Sequence, residues 1–102
     1  MAKKRRVRRR PRIARLSEKA AEMLQWERVC RVATAGASGQ PHVVPVCHVF
    51  LGGKLYFGSG DDARKVLNLR DNPRLAVTVD VYSDAWGQLR GVLLQGRARL
   101  IE

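Results

Sequence analysis

The chain has 102 residues, 45% of them apolar, and a net charge of +11. That length holds one domain with a modest core. No apolar run reaches the roughly 18 residues of a membrane-spanning helix, and no apolar segment follows the basic N-terminus as a secretory signal requires, so the expectation is a cytoplasmic protein.

The charge is unevenly spread. Residues 1–15 hold nine Lys or Arg and no acid, which leaves a net +2 for residues 16–102. The sequence therefore divides into a basic tail, 1–15, and a near-neutral body, 16–102. A block of like charges repels itself and is expected to be disordered. It suits nucleic acid or acidic lipid without sequence preference, and it suits an inert extension equally.

The body opens on a helix predicted over 17–27. Ser17 is its N-cap and Glu18 favours the positive helix end. Ala20, Met23, Leu24 and Glu27 share a face, and Met23 and Trp26 read as packing residues. Val29 to Ala35 has strand chemistry. Gly36-Ala37-Ser38-Gly39 is a turn, and Pro41 to Leu51 is a second, valine-rich strand. Pairing residue 35 with residue 41 brings Cys30 near Val46 or Cys47, and a one-residue slip would separate them. Two cysteines make neither a disulfide framework nor a four-ligand zinc site. His42 and His48 match no metal spacing and are expected on a sheet surface. Pro45 cannot donate to a ladder, so it marks an edge, a bulge or a stop. A backbone carbonyl or apolar ridge there is free to face a flat ligand.

Gly52-Gly53 is a two-residue hairpin turn, and Lys54 to Ser59 is the third strand. Gly58-Ser59-Gly60 then leads into a short helix with Asp61 or Asp62 as its expected cap and Ala63, Val66 and Leu67 on one face. Asn72-Pro73 ends it. Arg64 and Lys65 fall in the first turn, where the macrodipole disfavours cations. Free amides, the Ser59 hydroxyl and two cations make an anion seat; the competing reading is a solvated turn with both cations paired to Asp61 and Asp62. Arg74 to Tyr82 is a fourth strand, with Leu75, Val77, Val79 and Val81 on one face. Ser83 to Gln88 is a loop containing Trp86. Leu89 to Ile101 is a fifth strand, in which Gly91 and Gly96 suggest bulges or corners. The order α-β-β-β-α-β-β with hairpin links predicts a mainly β protein, a curled antiparallel sheet or small barrel. The fifth strand leaves an edge that calls for a partner chain or a continuation.

These segments, taken together, resemble the pyridoxamine phosphate oxidase-like split-barrel family, flavin-binding and deazaflavin-dependent members included. The resemblance is carried by Val32-Ala-Thr-Ala, Gly39-Gln-Pro-His-Val-Val-Pro-Val, Leu55-Tyr-Phe-Gly-Ser, Arg64-Lys-Val-Leu-Asn-Leu-Arg-Asp-Asn-Pro-Arg-Leu-Ala-Val and Gly96-Arg-Ala. It implies a Greek-key split barrel, here without the C-terminal strand or strands, and a homodimer with cofactor sites at the subunit interface. It also implies FMN or the deazaflavin coenzyme F420, with the cofactor phosphate at Arg64 and Lys65. By the same resemblance, Gly58 and Ser59 meet the phosphate or ribityl chain. Val44, Pro45 and Val46 lie along the ring, and Asn68 points toward the cofactor. Pyridoxamine phosphate oxidases carry basic side chains on the ring-facing strand, where this chain has Val44 and Val49. The resemblance thus implies a general redox relative acting on a small-molecule substrate, with no catalytic side chain named. The alternatives are a flavin- or haem-binding module without turnover, and nucleic-acid binding through the tail.

Overall fold

The computed structural model describes residues 16–101; the basic tail lies outside them. The elements run α1 (Glu18–Trp26), β1 (Val29–Ala35), β2 (Pro41–Leu51), β3 (Lys54–Phe57), α2 (Arg64–Asp71), β4 (Arg74–Val81) and β5 (Arg90–Arg97), with a short 3-10 turn at Trp86–Gln88. The five strands form one antiparallel sheet in the order β3-β2-β1-β4-β5, curled into a half-barrel. No helix among the described residues is long and apolar enough to cross a membrane.

The first hairpin takes the expected register, with Ala35 opposite Pro41 and Cys30 opposite Val46. Its turn is closed by the Gly39 amide on the Gly36 carbonyl at 3.1 Å. The second hairpin turns on Gly52 and Gly53, both at positive φ (60° and 77°), the pairing a two-residue turn needs to match strand twist. In β5 the glycines make no bulge: pairing with β4 is continuous from Arg90 opposite Val81 to Arg97 opposite Arg74. Gly91 and Gly96 simply take up ladder positions.

One face of the sheet is the core. Cys30 and Val32 of β1, Val77 and Val79 of β4, and Leu24 of α1 are buried together, flanked by Met23, Val46, Phe50, Leu55, Leu75 and Leu94. Strand alternation sets this face. It also separates the cysteines: Cys30 is buried and Cys47 exposed, and both are free thiols.

Helix α1 lies across one end of that face. Ser17 caps it, its hydroxyl accepting from the Ala20 amide at 3.1 Å. Leu24 points inward, but Trp26 is 80% exposed. The expectation that Trp26 packs is therefore wrong; it falls two positions, about 200° round the helix, from Leu24. His48 also departs from expectation. It is buried, and its Nε2 lies 2.9 Å from the Leu24 carbonyl. A carbonyl only accepts, so Nε2 carries the hydrogen, and Nδ1 is buried without a partner.

Two predictions follow from this core. Leu24→Ala should lower the unfolding free energy by about 2–5 kcal/mol, while Trp26→Ala should change it by less than about 0.5 kcal/mol; urea midpoints measure both, and equal losses would contradict the orientation of α1. Burial, with Cys47 nearby, pushes the Cys30 thiol above its ordinary value of 9.0. A raised folded-state value means its contribution is complete below that ordinary value and is lost as the pH climbs through the raised one. The stability gap between wild type and Cys30→Ala should accordingly narrow above pH 9.0; a gap that widens would contradict a buried thiol.

Candidate functional site

The backbone of β2 changes partner midway. Residues 41–47 pair only with β1, and residues 48–51 pair with β3 on the other side. The His48 amide donates to the Arg28 carbonyl at 2.9 Å. Antiparallel alternation then turns the polar groups of Val46, Val44 and His42 toward β1, and those of Cys47, Pro45, Val43 and Pro41 away from it. On that outward side, β3 has already ended at Phe57, opposite His48. The stretch 41–47 is thus an open edge whose donors are the Val43 and Cys47 amides. Both prolines occupy the outward phase, where their missing amides cost the ladder nothing.

Side chains follow the same alternation. Val44 and Val46 turn to the inner face and are half-buried, and Val46 packs on the core. Pro45 is exposed on the outer face. The sequence expectation that Pro45 and Val46 press together on one ring is corrected here: their side chains lie on opposite faces, and what they share is the backbone edge.

Beyond Phe57 the chain passes through Gly58, Ser59 and Gly60, all exposed. The Ser59 hydroxyl bonds only to the neighbouring Gly60 carbonyl, at 3.3 Å. The Ala63 amide returns to the Gly60 carbonyl at 3.1 Å, and α2 begins at Arg64. Its N-cap is Ala63, without a side-chain hydrogen bond, so the expected cap by Asp61 or Asp62 is not made. Neither acid pairs with Arg64 or Lys65 among the described residues, where Arg31–Asp80 is the ion pair present. The reading in which the two cations are neutralised locally is therefore not what the structure has. The Arg64 and Lys65 amides have no hydrogen-bond partner among the described residues. Two free amides and two unpaired cations meet in one turn, a combination that favours an anion.

The buried face of α2 also differs from expectation. Val66, Asn68 and Leu69 are buried, and Ala63 and Leu67 are only half-buried. The helix packs on β1 and β2. Asn68, expected to point toward a cofactor, is 6% exposed and donates from Nδ2 to Thr34 Oγ1 at 3.0 Å. Next to Thr34 across the hairpin is His42, half-buried, with Nδ1 buried and unpartnered.

The chain places Gly58 and Ser59 just past Phe57, which stands opposite His48 where the open edge of β2 begins, and places Arg64 and Lys65 at the start of α2, which packs on β1 and β2. It does not enclose them. A groove of about 660 Å³, bounded by Phe50, Leu55, Phe57, Leu75 and Leu94, lies on the inner face of the sheet and touches neither cation. The burial of His48 and of the His42 Nδ1 escaped sequence reasoning, since it depends on register, whereas the edge at Pro45 is one of the alternatives its missing amide allows. The two prolines four residues apart were the available signal.

The asymmetry between capping and pairing acids gives a prediction. Replacing Asp61 and Asp62 together by Ala should move stability by less than about 0.5 kcal/mol. A capping aspartate would instead cost about 0.5–2 kcal/mol, and a loss of that size in urea unfolding would restore the cap.

Comparison with known proteins adds the family. The model of the family described as pyridoxamine 5'-phosphate oxidase matches residues 16–102. Among solved structures, a conserved hypothetical protein from Mycobacterium tuberculosis superposes with a TM-score of 0.74 at 26% identity, covering 89% of this chain and 56% of the other. An FAD-binding protein from Mesorhizobium loti gives 0.68 at 34% identity, covering 80% and 58%. An F420 reductase gives 0.71 at 21% identity, covering 82% and 64%. The chain thus spans less than two thirds of the length of each of these structures. No curated protein sequence matches it.

Proposed function

Because the chain belongs to the pyridoxamine 5'-phosphate oxidase family, we propose that it is a flavin- or deazaflavin-dependent oxidoreductase that seats the cofactor's phosphate on the first turn of α2. The observation that carries this reading is the uncapped turn itself: two free amides beside two cations with no acid paired to either. The FAD-binding and F420 reductase neighbours support a flavin-type ligand, FMN or F420 in this chain.

The residues divide the work. Arg64 and Lys65 neutralise the phosphate, and the α2 amides and the Ser59 hydroxyl hydrogen-bond it. Gly58 and Gly60 keep the approach to the backbone clear, since a side chain at Gly58 would meet nothing within 4 Å on the protein side. The open edge at Val43, Pro45 and Cys47 offers alternating amides and carbonyls to the polar rim of a flat ring. Val44 and Val46 stiffen that edge from the inner face. When bound, such a ring supplies the hydride chemistry, and the protein supplies binding and orientation.

The seat is open in one chain, and this favours a dimer as the working unit. The outer face of the sheet carries Val29, Val43, Pro45, Cys47, Val49, Leu51 and Tyr56, all exposed. A contiguous apolar face of this kind is rare on a monomer. A second copy placed there would wall the open edge and exclude water from the ring. Turnover without an acid–base side chain is consistent with cofactor-centred chemistry. A pure binding module predicts a coloured protein that oxidises no reduced nicotinamide or reduced deazaflavin, and steady-state assays of the coloured protein separate the two.

The direct test is titration of FMN into wild type and Lys65→Ala. Loss of one charge-assisted hydrogen bond should weaken binding by about 1.5–3 kcal/mol, about 10- to 150-fold, with a smaller difference at high salt. Equal affinities would remove Lys65 from the site.

A further inference from the structure

Asn68 invites a ligand role from its place in the sequence, but its geometry points elsewhere. We infer that Asn68 is a positioning residue: it locks α2 to the end of β1 through Thr34 and Gly36 and so holds the Arg64–Lys65 turn beside the open edge of β2. The inference rests on the phosphate-seat reading above and adds to it the element that aims the seat.

Three observations converge. Asn68 and Thr34 are 6% and 4% exposed, and their side chains are joined by a 3.0 Å hydrogen bond. This is the side-chain hydrogen bond between α2 and the sheet among the described residues; α2 also buries Val66 and Leu69, whose apolar burial is less directional than a hydrogen bond. Gly36 makes room for it. A Cβ at Gly36 would stand 2.8 Å from Asn68 Oδ1 and 3.5 Å from its Cγ. The backbone at Gly36 has no positive φ, so the requirement is space for the amide and not an unusual conformation. Finally, Arg64 and Lys65 lie four and three residues before Asn68, one turn away along the same helix. With no side-chain cap at Ala63, the turn is closed only by backbone hydrogen bonds such as Ala63 to Gly60, and no other side-chain hydrogen bond anchors it among the described residues. A small rotation of α2 would move both cations and both free amides together.

The ligand role and the positioning role make opposite predictions for residues that a ligand would never touch. The experiment measures FMN affinity and backbone hydrogen exchange in wild type, Thr34→Val, Thr34→Ser, Gly36→Ala and Asn68→Ala. Positioning predicts that Thr34→Val, Gly36→Ala and Asn68→Ala each weaken FMN by about 5- to 50-fold. They should also speed exchange in residues 64–71 more than in β4, and Thr34→Ser, which keeps the hydroxyl, should behave like wild type. If Asn68→Ala alone loses affinity, Asn68 is a ligand and the inference is overturned. If exchange rises equally in β4 and α2, the hydrogen bond is a general stability contact and the inference is again overturned. Should wild type bind no FMN, the flavin reading fails on its own. The exchange data then decide the lock: selective loosening of α2 by Thr34→Val and Gly36→Ala upholds it, and unchanged α2 exchange refutes it.

Discussion

The structure depends on a change of partner along β2. Up to Cys47 the strand pairs with β1, from His48 onward it pairs with β3 on its other side, and His48 alone is held from both sides. The hydrogen bond from the His48 amide to the Arg28 carbonyl fixes the phase of everything below it. That phase turns Pro41 and Pro45 outward, where they cost no ladder bond. It also turns Val44 and Val46 inward, toward the core. A shift of one residue would bury the proline positions against β1 and expose the valines. Buried apolar surface and backbone hydrogen bonding therefore enforce the same register.

Helix placement follows from that sheet. His48 reaches the Leu24 carbonyl and ties α1 over one end of the inner face. Thr34 reaches Asn68 and ties α2 over the other. Each helix is held by apolar contacts that supply most of the stabilisation and by one buried polar contact that sets its direction. Buried polar groups are expensive when unpaired, so these two contacts specify geometry more than they add stability. The unpartnered Nδ1 atoms of His42 and His48 show that this economy is incomplete.

Much of this was legible in the sequence, for physical reasons that can be named. Turn chemistry at Gly36–Gly39 and Gly52–Gly53 set both hairpin registers. The Ser17 cap set the start of α1, and alternating valines set the inner face of β4. What stayed hidden depended on three-dimensional phase. Trp26 has the composition of a packing residue, yet it lies on the wrong side of α1. Asp61 and Asp62 have cap chemistry, but the turn from Gly60 to Ala63 closes through the backbone and starts the helix past them. His48 could not be distinguished from a surface histidine until its strand gained a neighbour on each side. The anion seat was visible as two cations in a first turn. That they are unpaired, and that the turn is uncapped, depends on how the backbone closes between Gly60 and Ala63.

The proposed arrangement is a phosphate-bearing ring bound along the outward edge of β2, with its charged end on α2. A nitrogen–proton correlation spectrum recorded during FMN titration tests it most directly. The largest amide shifts should fall at Val43, Cys47, Gly58–Gly60 and Arg64–Lys65. Shifts gathered instead around Phe50, Leu55 and Leu94, on the inner face, would contradict it.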